Sequence, residues 1–500
     1  MSGPHLVPAY NCTKIIRKEG KTMQAFLDGL NNVFIWGINI FFGNVMLLIF
    51  LGIGLLCTIL TRGVQFRKFG VAFCAVFSGI KAKNTNANGE LKPFQALATA
   101  LSSCVGTGNI VGVATALITG GPGAIFWMWF AAILGMATKY SEIIVAMNFR
   151  EKDDKGIWRG GAMYTLSRGF KGKWKPLGKF LGGVFAFCMI FVSLISCNAV
   201  QSNSIAGVLA NNIAQLGIST STANIVIGIV LAILSGLVII GGLQRIGNVA
   251  SILTPAMGAI YVLFGLIIII ANIGRVPAAF ASIFTSAFSS SAILGGMVGV
   301  TIQQALMRGV SRGVMSNEAG CGSAPLVHVN TSNPIPQQQA LFGIVEVFFD
   351  TIIICTFTAL IILTTGVGDM IAAGTLGTDV PAQISNQAWV NGLGGFGDFI
   401  VTVCLILFAF STIIGWNWYG QTCTTYLFGT KAIPVFLVVH VIFTFLGTIL
   451  DAPILWNATD FFNGLAMIPS LISLVVFCGI TRRDTKTYID PLKKNVTVTK

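Results

Sequence analysis

A run of small and polar residues interrupts an apolar segment between Ser102 and Gly112. It reads SSCVGTGNIVG, with glycines on both sides of Thr107 and with Asn109 directly after the second glycine. A helix that breaks inside a bilayer frees backbone carbonyls for a cation and N–H groups for a carboxylate. Close helix packing by small residues is the simpler alternative. Four small or polar residues in a row, followed by Asn109, favour the break.

A second glycine-rich run, residues 295–304, comes five predicted helices later and contains Gly296 and Gly299. Interruptions at equivalent positions in two five-helix halves are what an inverted repeat predicts, with substrate and ion bound at the midplane between the halves. We therefore assign Gly296 and Gly299 to a substrate site.

Three further side chains lie deep in apolar segments. Asp350 is roughly 18 Å into its helix at 1.5 Å per residue, where a carboxyl group is costly unless it is paired or functional. It is a cation ligand, a proton carrier or one half of a structural pair, and the pair is favoured. Gln201 either donates to a substrate carboxylate or bridges two helices. Trp416 either caps a small side-chain pocket or belongs to an interfacial belt.

The composition requires a membrane around these residues. Of 500 residues, 54% are hydrophobic and 10% are charged, whereas soluble domains carry roughly 25% charged residues. Such a chain cannot cover a water-facing surface, so it is an integral membrane protein. Eleven scattered cysteines without a C-x-x-C pair read as small packing residues. The net charge of +14 therefore does not indicate a nucleic-acid partner.

Long apolar stretches predict an all-α protein with eleven transmembrane helices, and the stretch at 338–365 carries Glu346 and Asp350. The stretches are 33–61, 94–138 (two helices joined at a Gly-Gly-Pro-Gly turn), 180–244 (two helices), 246–274, 276–307, 338–365, 399–428, 432–450 and 460–480. We divide the chain into a lead-in at 1–32, an extra helix at 33–61, a first five-helix repeat at 94–274, a second at 276–480, and a tail at 481–500. The two repeats each contain one broken helix.

Loop charge predicts the orientation. If the loop after the first helix is cytoplasmic, twenty-five Lys and Arg residues lie inside, including Arg308 and Arg312, and five lie outside. This bias places the C-terminus in the cytoplasm and the N-terminus outside the cell membrane. Residues 1–22 have no apolar core and are not a signal peptide. Apolar residues at helical spacing begin after Met23, so we expect Met23 to be the natural start rather than Met1.

Three blocks of the sequence resemble the alanine or glycine:cation symporter family. They are TGGPGAIFWMWFAAILG at 119–135, RGGAMY at 159–164 and RGVMSNEAGCGSAP at 312–325. The resemblance covers about residues 23–480. It implies a LeuT-like fold and sodium-coupled uptake of alanine or glycine, with Na⁺ as the coupling ion.

The resemblance also implies roles for residues. The sequence Gly106–Asn109 is similar to the break in the first core helix of neurotransmitter:sodium symporters, which maps carboxylate-binding amides to Thr107 and Gly108. The ligands that it implies for sodium are carbonyls of the preceding helix and a hydroxyl pair on the eighth core helix. In this chain they are Ser102, Val105, Phe408, Ser411 and Thr412. Hydroxyls that bond back to their own helix are the alternative for Ser411 and Thr412. Asn109 and Asp350 are candidates for a second cation or proton site.

These assignments predict a secondary symporter for small neutral amino acids, since Asp350 is the single charged residue among them. A proton-coupled amino-acid transporter is the first alternative. A potassium channel is remote because a selectivity filter needs four strands around one axis, and Val105–Asn109 occurs once. An enzyme is not expected: His328 and His440 lack a His-x-x-x-His or similar partner, and no P-loop or Gly-x-Ser-x-Gly is present. The sequence leaves the oligomeric state open.

Overall fold

The computed structural model describes residues 28–41, 43–81, 91–214, 217–289, 301–372, 376–377, 381–450, 452–489 and 491. Several predictions fall outside these ranges. They concern Gly296 and Gly299, the lead-in up to residue 27 with its start at Met23, and nearly all of the tail beyond residue 489.

The described chain is almost entirely helical. Helices α1 to α12 are Asp28–Phe41, Asn44–Leu60, Val64–Arg67, Phe69–Lys81, Pro93–Cys104, Val111–Gly120, Gly123–Asn148, Ala162–Gly169, Lys175–Phe191, Val200–Ala214, Thr220–Ile239 and Gly242–Ala271. Helices α13 to α23 are Val276–Phe288, Ile302–Asn317, Pro325–His328, Pro336–Val347, Thr356–Thr364, Val367–Ala372, Pro381–Leu393, Gly395–Phe428, Ile433–Gly447, Ala452–Val476 and Cys478–Asp484.

Shorter elements connect these helices. Turns of 3-10 helix are Thr107–Asn109, Gly172–Trp174, Ile273–Arg275 and Thr430–Ala432, and π-helical segments are Val192–Ala199, Phe348–Cys355 and Thr485–Ile489. The segment Val192–Ala199 makes α9 continuous with α10, and Phe348–Cys355 makes α16 continuous with α17. A small antiparallel hairpin, β1 (Glu151–Lys152) and β2 (Trp158–Arg159), pairs Glu151 with Arg159.

Among the described residues, eight helices are long and apolar enough to cross a membrane, and ten if each of two sharply bent pairs is one span. The bent pairs are α1 with α2, and α5 with the segment Thr107–Gly120. The predicted all-α membrane architecture is confirmed at this level. The count of eleven spans and the five-plus-five repeat stay predictions.

Helix α14 packs along α7, starting at the α6–α7 turn and continuing toward the middle of α7. A Cβ on Gly309 would overlap the carbonyl oxygen of Ala124, so the two backbones touch at the start of α7. Arg308 lies against Gly120 at the end of α6. Loop charge predicted Arg308 in the cytoplasm, and by the same orientation the Gly-Gly-Pro-Gly turn between α6 and α7 lies outside. The contact between Arg308 and Gly120 shows that both lie at the same end of the molecule, which corrects the prediction for Arg308. Loop charge could not reveal it, because the close approach of α14 to α7 depends on glycine contacts between distant segments.

A second interruption in the described residues lies outside the predicted run 295–304, of which residues 295–300 are not described. Residues 301–304, the described part of the run 295–304, form the N-cap and first turn of α14, where Thr301 accepts a hydrogen bond from the Gln304 N–H at 3.1 Å. The chain leaves helical geometry at Glu318. Positive φ angles at Glu318, Gly320 and Gly322 carry it to α15. Among the described residues, the chain is thus unwound at 105–109 and again at 318–324.

A buried charge network holds this second break. Lys139 on α7 lies 2.6 Å from the Glu346 carboxylate on α16 and donates to the Asn317 carbonyl at 2.5 Å. Both side chains are almost fully buried. His328 lies 3.3 Å from the other Glu346 oxygen. The network thus joins α7, α15 and α16 around the unwound residues.

Replacing Lys139 by Met should lower the stability of the protein by about 3–5 kcal/mol, because Glu346 would stay buried without its positive partner. The apparent midpoint of thermal unfolding in detergent measures this loss. The double variant K139M/E346M removes both charges and should recover part of the midpoint. A single variant as stable as the unaltered protein would contradict a tightly coupled pair.

Candidate functional site

The predicted break in the first core helix is present. Helix α5 ends at Cys104, Val105 and Gly106 are extended, and Thr107–Asn109 form one 3-10 turn before α6. The helices on the two sides are bent by 61°. The Gly106 N–H donates to the side-chain oxygen of Asn109 at 3.0 Å. The small side chains thus allow the turn, and Asn109 pairs one of the amides that the break frees.

The predicted hydroxyl pair lies directly against this break. Ser411 and Thr412 on α20 each donate to the Ser102 carbonyl at 3.2 Å. They also donate to the Phe408 carbonyl of their own helix, at 2.9 Å and 3.0 Å. Two hydroxyls and two carbonyls from different helices therefore converge, and a hard cation such as sodium prefers such oxygen ligands.

The fifth predicted cation ligand is Val105. It is buried at the end of α5, where its N–H donates to the Leu101 carbonyl at 2.8 Å. Its place at the helix end agrees with the predicted role of its carbonyl, and its part in ligation stays a prediction.

The predicted carboxylate-binding residues lie on the other side of the break. The Thr107 N–H faces the Gln201 side-chain oxygen at 3.4 Å, so Gln201 links α10 to the unwound turn. The Thr107 hydroxyl is buried and has no hydrogen-bond partner among the described residues. A Cβ on Gly108 would meet no atom within 4 Å. This face of the turn is open at Gly108, and the Thr107 hydroxyl is available for a ligand, whereas the Thr107 N–H is in a long contact with Gln201.

Trp416 is buried inside the helical core. Its indole N–H donates to the Ser103 carbonyl at 3.1 Å, and its own carbonyl accepts from the Ser193 hydroxyl at 2.8 Å. This position excludes the alternative of an interfacial belt and places the ring beside the break. This burial is consistent with the prediction that Trp416 forms a wall of the substrate pocket.

A cavity of about 720 Å³ joins these groups. Its lining includes Gly106, Thr107, Gly108, Gln201, Thr412 and Trp416. It extends past Thr115 on α6, Val208 on α10 and Ser385 on α19. The cavity therefore extends from the break toward the end of the molecule where α6 meets α7.

Asp350 lies behind the break in the π-helical segment Phe348–Cys355. One carboxylate oxygen accepts from the Asn109 amide at 2.7 Å, and the other accepts from the hydroxyls of Ser316 and Thr351, each at 2.7 Å. The Asn109 amide also contacts the Ser316 hydroxyl at 3.0 Å. Asn109 and Asp350 are thus brought together, and they join α14 to the first break.

Two functional candidates were missed in the sequence. Ser316 joins the Asn109–Asp350 cluster, and Glu318, which the sequence analysis placed only in the resemblance block 312–325, lines the cavity. The segment Ser316–Gly322 has the same signal as the first break, polar residues followed by glycines. This pattern in the sequence could have indicated the interruption at 318–324.

Comparisons with known proteins agree with this geometry. A sequence profile described as the sodium:alanine symporter family matches residues 27–500. The sodium/alanine symporter AgcS of Methanococcus maripaludis is 40% identical over 464 residues, 93% of this chain and 97% of that protein. The probable sodium/glutamine symporter GlnT of Bacillus subtilis is 30% identical over 470 residues, 93% of this chain and 91% of that protein.

A solved structure shares the fold. The crystal structure of MhsT in complex with L-phenylalanine superposes with a TM-score of 0.54, covering 81% of this chain and 96% of MhsT. Because the sequence identity is 14%, this likeness shows the fold alone. It supports the predicted LeuT-like fold.

The two glycines of the break should differ in their tolerance of a methyl group. A Cβ on Gly106 would lie 2.8 Å from the Thr412 hydroxyl oxygen, whereas one on Gly108 points into open space. Gly106→Ala should therefore lower stability by about 1–3 kcal/mol through overpacking. Gly108→Ala is the matched control and should stay close to the unaltered protein. Thermal unfolding in detergent compares them, and equal midpoints would contradict the close packing of Gly106 on α20.

Proposed function

Because this chain belongs to the sodium:alanine symporter family, we propose that it couples inward sodium flow to the uptake of small neutral amino acids, alanine and glycine first. Family membership makes the chain a multi-pass membrane transporter for an amino acid and a cation, and not an enzyme. Sodium as the ion, and alanine or glycine as the substrate, belong to the proposal.

One observation carries the proposal. The same unwound turn has the hydroxyl–carbonyl cluster of Ser102, Phe408, Ser411 and Thr412 on one side and an open amide face on the other. A cation on the first side braces the turn, and a carboxylate on the second side binds the amides that the turn exposes. Sodium and substrate then stabilise the same conformation, which is the thermodynamic meaning of coupling.

The surroundings of the open face favour a neutral side chain of limited size. Trp416, Gln201 and Cys197 line this part of the cavity, and they offer polar and apolar contacts without a full charge. The relative named for glutamine shows that the family also includes a protein assigned to a longer neutral side chain. Glutamine is therefore the most informative competitor for alanine.

The proposed orientation follows from loop charge, with the N-terminus outside the cell membrane and the C-terminus in the cytoplasm. In that orientation the α6–α7 turn is external, so the cavity extends from the break toward the outside. Asp350 is proposed as a structural anchor, because its carboxylate oxygens accept three hydrogen bonds from side chains that position the break.

A second candidate function is proton-coupled uptake. The observation that favours it is that Asp350 is fully buried and its direct contacts are uncharged donors. A buried carboxyl group of this kind is expensive to keep ionised at membrane depth.

Uptake of radiolabelled alanine into proteoliposomes tests both candidates. An inward sodium gradient should drive accumulation that glycine competes for and leucine does not. Uptake in potassium buffer with an inward proton gradient alone would instead support the proton-coupled candidate. Absence of alanine uptake under every gradient, from a protein that unfolds cooperatively, would contradict the proposal.

Thr412→Ala should raise the half-saturating sodium concentration for alanine uptake by about tenfold, which corresponds to roughly 1.4 kcal/mol. The reason is the loss of one of the four converging oxygens. Thr425→Ala is the matched control, because the Thr425 hydroxyl lies on the same helix and donates only to the Gln421 carbonyl at 2.8 Å among its described contacts. The assignment of the cation site is wrong if both variants keep the sodium dependence of the unaltered protein.

A further inference from the structure

The second break places a carboxylate in the cavity next to the first break. Among the described residues, Arg312, Glu318 and Asp460 are the charged side chains of the cavity lining. Glu318 follows Ser316 by two residues, and the Ser316 hydroxyl contacts the Asn109 amide at 3.0 Å. Two residues span at most about 7 Å. Glu318 therefore lies near the turn whose amides are proposed to hold the substrate carboxylate.

Asp460 does not offer the same opportunity. It lies on α22, where one of its oxygens has no hydrogen-bond partner among the described residues, and no contact places it beside the turn at 105–109. Lys139 lies beside the neighbouring Asn317, and it is already engaged by Glu346 at 2.6 Å and by the Asn317 carbonyl. Of the two cavity carboxylates among the described residues, Glu318 is thus the one that the chain holds close to the first break, two residues from Ser316.

The backbone at Glu318 is held in an unusual conformation. Glu318 has φ 56° and ψ 17°, in the left-handed region. The segment has three residues with positive φ, and the other two, Gly320 and Gly322, are glycines. A side chain at this position costs about 1–2 kcal/mol relative to glycine. Strain of this kind is concentrated at functional sites, which suggests that the carboxylate has a use.

The carboxylate is held firmly and keeps capacity for a ligand. The Ser323 hydroxyl donates to one oxygen at 2.5 Å. An ionised carboxylate offers about four acceptor positions on two oxygens. One fixed hydrogen bond orients the group and leaves positions for a donor in the cavity.

We infer that Glu318 receives the α-ammonium group of the substrate while the Thr107 and Gly108 amides hold its carboxylate. The inference rests on the proposed function, since it assumes an amino-acid zwitterion at this turn. A zwitterion at membrane depth needs partners for both charges, because an unpaired ammonium is costly there. Glu318 supplies the negative partner, so it makes the site selective for α-amino acids over acids that lack the amino group.

The test compares two ligands of the same shape. Alanine and lactate differ in that a hydroxyl replaces the ammonium group. Each competes with radiolabelled alanine for sodium-dependent binding to the purified full chain, and the ratio of their inhibition constants measures the ammonium contact. In Glu318→Gln this ratio should fall at least tenfold, because alanine loses its ionic partner and lactate is no longer repelled. Glu318→Asp keeps the negative charge and should retain part of the preference.

Glu142→Gln is the matched control. Glu142 is a buried carboxylate on α7 that accepts from the Gly322 N–H at 3.0 Å, so it holds the same break without lining the cavity. Its ratio should equal that of the unaltered protein. A cooperative thermal unfolding transition in detergent checks that each variant is folded.

Two outcomes would overturn the inference: an unchanged ratio in Glu318→Gln, or an equal loss for alanine and lactate, which would show a structural role. Loss of sodium-induced stabilisation in Glu318→Gln but not in Glu318→Asp would also count against it, because the charge would then act on the cation. If the unaltered protein binds no alanine, the proposed function itself fails, and this is visible before any variant is compared.

Discussion

The unwound turn at residues 105–109 is the feature on which the rest of the site depends. Backbone polar groups freed inside an apolar helix must find partners, because no water competes for them at membrane depth. The structure pairs the Gly106 amide with Asn109, the Thr107 amide with Gln201 and the Asn109 carbonyl with Thr358. These partners come from the turn itself, α10 and α17. Satisfying one break therefore fixes the relative positions of several helices.

The second break is held by a different chemistry. Lys139, Glu346 and Glu142 are buried ionisable residues on α7 and α16 that bind each other or the backbone between Asn317 and Gly322. The two breaks meet where Ser316 contacts the Asn109 amide and the Asp350 carboxylate. Short hydrogen bonds therefore connect the two unwound segments directly. Under the proposed function, this connection would let the cation and the substrate act on both segments.

Much of the first break could be predicted from the sequence. Glycines beside Thr107 and Asn109 in an apolar segment indicated the interruption. The resemblance to a known family predicted that Ser411 and Thr412 lie near the Ser102 carbonyl. The break predicted at 295–304 lies largely outside the described residues, and the interruption at 318–324 was not predicted. What distinguishes the latter is the set of buried partners on α7 and α16, and these partners are distant in sequence.

The sequence by itself determined that the chain is a helical membrane protein with a helix broken near residue 106. Those conclusions follow from composition and local pattern, because a bilayer accepts only long apolar helices and makes each polar interruption conspicuous. The tertiary structure alone decided that Arg308 lies at the α6–α7 turn, that Asp350 accepts hydrogen bonds from Asn109 and Ser316, and that Glu318 faces the cavity. The rotation and register of each helix select these contacts. Packing between distant segments sets the rotation and the register, so the local sequence pattern does not predict them.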